Sequence, residues 1–187
     1  MQKIGVYLSS KSDVPAAYRK AAEDVGAWLG RTGRTLVYGG ARKGMMEVLA
    51  QAAHNGGARI YGVVPDILFR RNLVSDLLDV TFRCADLHDR KAIMMRESEA
   101  LVVLPGGIGT LDELFTALAT ANIGIGRMPV VLYNAGGCWD SLLETLGRLK
   151  DDGLISEDFS ELFAVVDDVE DLERLLAQHL PPQPYNI

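Results

Sequence analysis

Apolar runs of strand length alternate with longer stretches that carry an apolar stripe at helical spacing, and the alternation persists along most of the chain. Residues 4–8 are short and apolar, as a buried strand requires. Val14, Tyr18, Ala21, Val25, Trp28 and Leu29 then recur at helical spacing, with Asp13 placed to cap that helix. The next predicted strand covers 35–38 and ends at Gly39-Gly40. A helix over 45–53 closes at Asn55-Gly56-Gly57, and a strand over 59–64 is stopped by Pro65. Residues 101–104 and 130–133 read as further buried strands, each followed by glycines and a helical stretch. A strand over 163–166 and a helix over 172–179 complete the series. Residues 66–79 are the least regular part and are expected to hold a short helix and a mobile loop.

Strands that alternate with helices imply a parallel sheet covered on both faces. The expected fold is therefore α/β, a Rossmann-like doubly wound parallel sheet flanked by helices. A single nucleotide-binding domain is expected over 1–180. The Pro-rich stretch 181–187 forms a tail, either loose or packed across a neighbour. Ligands of such sheets bind beyond the carboxyl ends of the strands, which singles out the loops 9–12, 39–44, 65–72 and 105–110.

Composition narrows the function classes. With 187 residues, 48% hydrophobic and 24% charged, the chain has the make-up of an ordinary globular domain. A net charge of −6 argues against a nucleic-acid partner, whose binding calls for a broad basic surface. It leaves room for one phosphate held by a few local donors. Basic pairs do occur at Arg42-Lys43, Arg70-Arg71 and Arg90-Lys91, and their bland reading is a solvated surface. Cys84 and Cys138 lack metal-ligand spacing and read as partly buried free thiols. No apolar stretch approaches the ~18–20 residues that cross a bilayer. The first residues run straight into a strand without a leader pattern, so the expectation is a cytoplasmic protein with no membrane partner.

The most informative segment is Pro105-Gly-Gly-Ile-Gly-Thr-Leu-Asp-Glu113. A buried strand ends before it, Pro105 forces a turn, and Gly106, Gly107 and Gly109 allow a closeness of approach that side chains would block. Thr110 is expected to begin a helix, where free N–H groups and the helix dipole favour a phosphate. The turn is neither a P-loop nor a complete dinucleotide fingerprint. Thr110 and Glu113 also fit a capping box, and that structural role and a catalytic one can share Glu113.

Two further features stand beside it. Asp86 caps a helix on which Arg90 and Met94 lie four residues apart, and an Arg can grip a carboxylate or phosphate with paired hydrogen bonds. The alternative is a surface Arg-Lys pair with a core methionine. Tyr38-Gly39-Gly40 with Gly44-Met45-Met46 makes another strand, glycine turn and helix start, either a tight turn or a second wall of a nucleotide pocket. His54, His88 and His179 share no ligand spacing and read as surface or capping residues. Trp28 reads as core, Trp139 as packing or interface, and Asp112 as a helper of its helix N-terminus.

Together, these features resemble the LONELY GUY (LOG) family of nucleoside 5′-monophosphate phosphoribohydrolases, some of whose members have carried a lysine decarboxylase label. The resemblance lies in the PGGxGTxxE pattern over 105–113, the RKxxM pattern over 90–94 and the glycine turn over 38–46, and it extends over nearly the whole chain. It implies hydrolysis of the N-glycosidic bond of a purine nucleotide, cytokinin-type or AMP, to free base and ribose 5-phosphate. By position, Arg90 and Glu113 would be catalytic. Gly107, Gly109 and Thr110 would hold the 5′-phosphate, Lys91 would support the site, and Gly106, Ile108, Met94, Asn72, Gly40 and Ser10 would also bind substrate. The resemblance implies no metal or organic cofactor, a small-molecule nucleotide substrate and a homodimer. The chain departs from the family pattern at Ala41, Glu47, Asn72, Leu8-Ser9-Ser10-Lys11 and Ala119-Thr120-Ala121-Asn122.

Two other classes compete with this reading. A decarboxylase would need a lysine holding pyridoxal phosphate and an acid for its ring nitrogen, and none of the six lysines has that context. A carrier of a nucleotide or of a molybdopterin-type cofactor shares the expected fold. It has no need of both Arg90 and Glu113 in a water-accessible pocket.

Overall fold

The computed structural model describes residues 1–125 and 128–178 and contains one seven-stranded sheet. The strands are β1 (Lys3–Tyr7), β2 (Thr35–Tyr38), β3 (Arg59–Pro65), β4 (Val80–Cys84), β5 (Ala100–Val103), β6 (Val130–Tyr133) and β7 (Ala164–Val166). All neighbours pair in parallel, in the order β4-β3-β2-β1-β5-β6-β7. The helices are α1 (Ala16–Arg31), α2 (Gly44–Asn55), α3 (Asp66–Arg70), α4 (Leu87–Arg96), α5 (Ile108–Asn122), α6 (Asp140–Asp151) and α7 (Val169–Gln178). This is the doubly wound α/β architecture that the alternation predicts.

Side chains along β1 alternate between two buried layers. Ile4, Val6 and Leu8 face a cluster with Val25, Trp28 and Leu29 of α1, Leu49 of α2 and Leu172 of α7. Tyr7 turns to the other face, against Met94 of α4 and Leu114 of α5. Burial on both faces explains why β5 and β6 are uninterrupted apolar runs. The chain leaves β1 in one direction to build β2, β3 and β4, and later returns beside β1 as β5. The loops after β1 and β5 therefore diverge at the switch point, which is where ligands of such sheets bind.

Three expectations are corrected. β4 is not among the strands that the apolar pattern predicts. Its pairing with β3 from Tyr61↔Val80 to Pro65↔Cys84 makes it an edge strand with Thr81 and Arg83 exposed, so it lacks the continuous apolar run of the central strands. Asp13 does not cap α1. Pro15 is the cap residue, and its carbonyl accepts from the N–H groups of Tyr18 and Arg19. A proline also disfavours helical geometry at the residue before it, which excludes an earlier start. The capping box is likewise absent, because α5 begins at Ile108 with Gly107 as its cap residue and no side-chain cap. Thr110 is thus the third helical residue and Glu113 the sixth.

Asp86 does cap α4, accepting from the N–H groups of His88 and Asp89. The segment after β3 holds the short helix α3, and its loop is tied down. Ala41 bridges Val74, the Arg42 N–H donates to the Leu73 carbonyl, and the Arg42 guanidinium pairs with Asp76 and donates to the Asn72 carbonyl. Trp28 and Trp139 are buried, Cys84 is a buried free thiol and Cys138 a half-buried one. His54 and His88 are exposed, while His179 and the stretch 181–187 lie outside the described residues.

Candidate active site

A cleft of about 270 Å³ opens at the switch point, close to the lower end of the ~300–1,000 Å³ of ligand sites. Gly107, Ile108, Gly109 and Thr110 form one wall. Leu8, Ser9, Ser10 and Lys11, from the loop after β1, form another. Met46 of α2, Arg90 of α4 and Glu113 of α5 complete it. A Ser9 N–H donated to the Pro105 carbonyl (3.2 Å) fastens the two loops together.

The turn over 105–110 follows from its glycines, which act in two ways. A Cβ on Gly106 would strike the Thr110 side chain, so this glycine is required by the turn itself. Cβ atoms on Gly107 or Gly109 would meet nothing within 4 Å. Packing does not demand glycine at these two positions, and both line the cleft. The first turn of α5 presents N–H groups that have no preceding helical carbonyl, with the positive end of the helix dipole behind them. That arrangement suits an anion.

Glu113 lies farther along the same helix and is only 8% exposed. It makes no hydrogen bond or ion pair with any described residue. Burial pushes its carboxyl up from 4.5 to about 7, with Asp112 adding to the rise and Arg90 and Lys91 opposing it. A carboxyl poised near neutrality in a cleft can take up and return a proton.

Arg90 is held in place by backbone. Its Nε donates to the Val63 carbonyl (3.0 Å) and its Nη2 to the Gly39 carbonyl (2.7 Å). Any Cβ on Gly39 would collide with the guanidinium, so the glycine after β2 makes room for Arg90. The next residue, Lys91, pairs with Asp112 of α5 at 2.7 Å and ties the two helices together. Asp112 therefore serves this pair rather than the helix N-terminus. Beneath the site the Tyr7 hydroxyl is buried without a partner, and burial, followed by the Glu113 charge, pushes its pKa up.

The cleft thus brings together Ser10, Arg90, residues 107–110 and Glu113. It does not take in five other sequence candidates. Gly106 shapes the turn, Met94 is core, and Lys91 points its ammonium at Asp112. Gly40, at φ +70°, has its carbonyl bonded to the Ser75 N–H. Asn72, at φ +53°, offers its carbonyl to Arg42. Lys11 and Met46 also line the cleft, and the sequence does not single them out as ligands. Lys11 lies in the loop 9–12 that the strand ends mark out and Met46 in the 38–46 turn read as a second pocket wall, but nothing in the sequence gives either side chain a ligand role.

Comparison with known proteins decides the family. The family model described as "Possible lysine decarboxylase" matches residues 46–176. The chain is 36% identical over 180 residues to the cytokinin riboside 5′-monophosphate phosphoribohydrolase LOG7 of Arabidopsis thaliana, covering 96% of this chain and 83% of that one. The chain belongs to the LOG family. A second Arabidopsis thaliana LOG member, LOG3, is 34% identical over 180 residues, with 96% and 84% covered. Solved structures agree on the fold. The molybdenum cofactor binding protein of Rippkaea orientalis aligns with a TM-score of 0.72 at 22% identity, over 94% of this chain and 95% of that one. The molybdenum cofactor carrier protein of Chlamydomonas reinhardtii aligns at 0.69 and 23%, over 95% and 99%.

The glycines of this LOG-family turn make a paired prediction. Gly107→Val costs no more stability than the ~0.5–1 kcal/mol of a poorer cap residue and weakens nucleotide binding at least ~10-fold, because the new side chain enters the cleft. Gly106→Ala lowers the melting temperature instead, through its clash with Thr110, as over-packing does at a cost of ~1–3 kcal/mol. Calorimetric titration with AMP and a thermal melt of each variant separate the two effects. Unchanged affinity in Gly107→Val would remove this turn from the binding site.

Proposed function

We propose that the cleft hydrolyses the N-glycosidic bond of a purine nucleoside 5′-monophosphate, giving free base and ribose 5-phosphate. The observation that carries this reading is the convergence in one cleft of a buried carboxyl near neutrality, a backbone-pinned arginine and a helix N-terminus at a glycine turn. The names of the LOG relatives support the same reaction.

The geometry suggests how the steps divide. Phosphate binds the N–H groups at the start of α5, against residues 107–110. Glu113 lies about 7.5 Å farther along the axis at 1.5 Å per residue. A phosphate at the helix start therefore sets the ribose, rather than the base, opposite Glu113. A water oxygen bonds to the anomeric carbon as the bond to the base breaks, and the electron pair of that bond leaves with the base. Ionised Glu113 orients the water, takes its proton, and stabilises the positive charge that builds on the ribose. The proton then passes to the departing base. Arg90 spends two of its five N–H groups on carbonyls, and the others remain to orient Glu113 and the ribose or base. Lys91 supports the site by holding α4 against α5.

A decarboxylase reading has no footing in the cleft. Pyridoxal phosphate needs a lysine for its Schiff base and an acid for its ring nitrogen. Lys91 is committed to Asp112, and Lys11 is exposed at the cleft mouth. Exposed apolar residues on α5 and just beyond it, Phe115, Ile123 and Ile125, support a homodimer. No helix among the described residues is long and apolar enough to cross a membrane, and the two free thiols suit a reducing compartment. We place the homodimer in the cytoplasm.

The test is incubation of the protein with AMP and with N6-isopentenyl-AMP, followed by chromatography. Free base from the prenylated nucleotide assigns it to cytokinin precursors. Free base from AMP alone makes it a general AMP-cleaving member. Release from neither overturns the proposed reaction.

A further inference from the structure

Hydrolysis as proposed above places two anions in one cleft, the Glu113 carboxylate and a 5′-phosphate. Two cationic residues line that cleft, Arg90 and Lys11, and the role of Lys11 rests on the hydrolytic reading. Arg90 is bound to the carbonyls of Val63 and Gly39 beside Glu113. The Lys11 ammonium makes no hydrogen bond or ion pair with any described residue, as those of Lys43 and Lys150 make none, but Lys11 alone of these three lines the cleft.

The backbone of Lys11 is as constrained as its side chain is uncommitted. Its N–H donates to Ser9 Oγ (3.1 Å) and its carbonyl accepts from the Met45 N–H (3.2 Å). Gly44, at φ +54°, lies so close that any Cβ there would overlap the carbonyls of Ser10 and Lys11. Ser9 in turn donates to the Pro105 carbonyl. Three loops, after β1, β2 and β5, are thus locked together at Lys11, beside the phosphate turn. A flexible surface lysine would not need such an anchorage. A lysine that must meet a fixed anion gains from it, because less freedom is lost on binding.

We propose that Lys11 is the cationic arm of the phosphate subsite, so that this chain binds a dianionic phosphate monoester between Lys11 and the first N–H groups of α5 and discriminates against the uncharged nucleoside.

The test compares the parent, Lys11→Met and Lys11→Arg by steady-state kinetics with AMP and by calorimetric titration with AMP, ribose 5-phosphate and adenosine. Lys11→Met raises KM for AMP and weakens both phosphate ligands by about 10-fold or more, while kcat changes far less, the signature of a lost uniform binding contact. Adenosine affinity stays unchanged, Lys11→Arg recovers most of the loss, and AMP affinity in Lys11→Met falls less steeply with salt than in the parent. A merely structural lysine would move adenosine and AMP together, and arginine would not rescue it. Equal affinity of the parent and Lys11→Met for ribose 5-phosphate overturns the proposal, whether or not AMP is turned over. Absence of turnover in the parent, with the phosphate-ligand difference intact, would instead overturn the hydrolase reading and leave Lys11 in place. If Lys11→Met fails to fold, Lys11→Gln carries the same comparison.

Discussion

Glu113→Gln is expected to abolish base release while keeping nucleotide affinity, and to make the protein more stable at pH 8 than its parent. Loss of a positioned acid–base group lowers kcat by about 10²–10⁴-fold. Binding survives because the phosphate turn and Arg90 remain. The stability gain follows from the raised pKa. Glu113 sits at 4.5 when exposed and at about 7 in the fold, because burial penalises its charge. Below pH 4.5 the group is protonated in both states, and the folded chain is at its full stability. As pH rises from 4.5 through 7 the unfolded chain loses the proton first, so stability drains away, by about 3 kcal/mol once both states are ionised. Glutamine removes that loss. Thermal melts should therefore separate the two proteins by several degrees at pH 8 and bring them together near pH 5. In the parent, kcat/KM, which reports the ligand-free enzyme, should rise with pH to a plateau as Glu113 ionises, with a midpoint near 7. Identical melting curves at pH 5 and 8, or unchanged turnover in the variant, would remove Glu113 from the role assigned to it.

Gly39→Ala is expected to disable the site although Gly39 itself does not line the cleft. The added Cβ would occupy the space of the Arg90 guanidinium, with Met46 the next nearest group. Both are the ends of flexible side chains, so the fold accommodates the methyl by displacing them. Arg90 then loses its bond to the Gly39 carbonyl. A misplacement of ~1 Å in a catalytic group can cost ~10²-fold in rate. Gly39→Ala should approach the loss in Arg90→Ala, and the double variant should be no worse than Arg90→Ala alone, since both act through one group. Additive losses in the double variant would mean that Gly39 acts by another route.

Much of the fold is legible in the chain, and less of the site. The central strands and the Asp86 cap can be read because buried parallel strands are unbroken apolar runs and caps obey local chemistry. β4 escapes such reading because an edge strand exposes alternate residues such as Thr81 and Arg83. The turn over 105–110 is recognisable from its glycines, but their division of labour is not. Only the fold shows that Gly106 faces Thr110 while Gly107 and Gly109 face open space. The spacing of Thr110 and Glu113 suggests a capping box, yet α5 starts two residues before Thr110. That shift leaves Glu113 buried and without a cap to serve. Likewise, no local pattern links Gly39 to Arg90, which meet only because β2 and β3 lie side by side under α4. Lys11 is hidden for the same reason, since its significance lies in the loops it joins.

Whether the cleft turns nucleotide over or merely holds it is decided most directly by multiple turnover of AMP and N6-isopentenyl-AMP with the purified protein. Free base and ribose 5-phosphate are both quantified, in phosphate-free buffer. The two products from at least one nucleotide are expected in equal amounts, in excess of the enzyme, and neither is expected with Glu113→Gln. Recovery of bound nucleotide intact, with no base released, would contradict hydrolysis and identify the protein as a carrier built on the same fold.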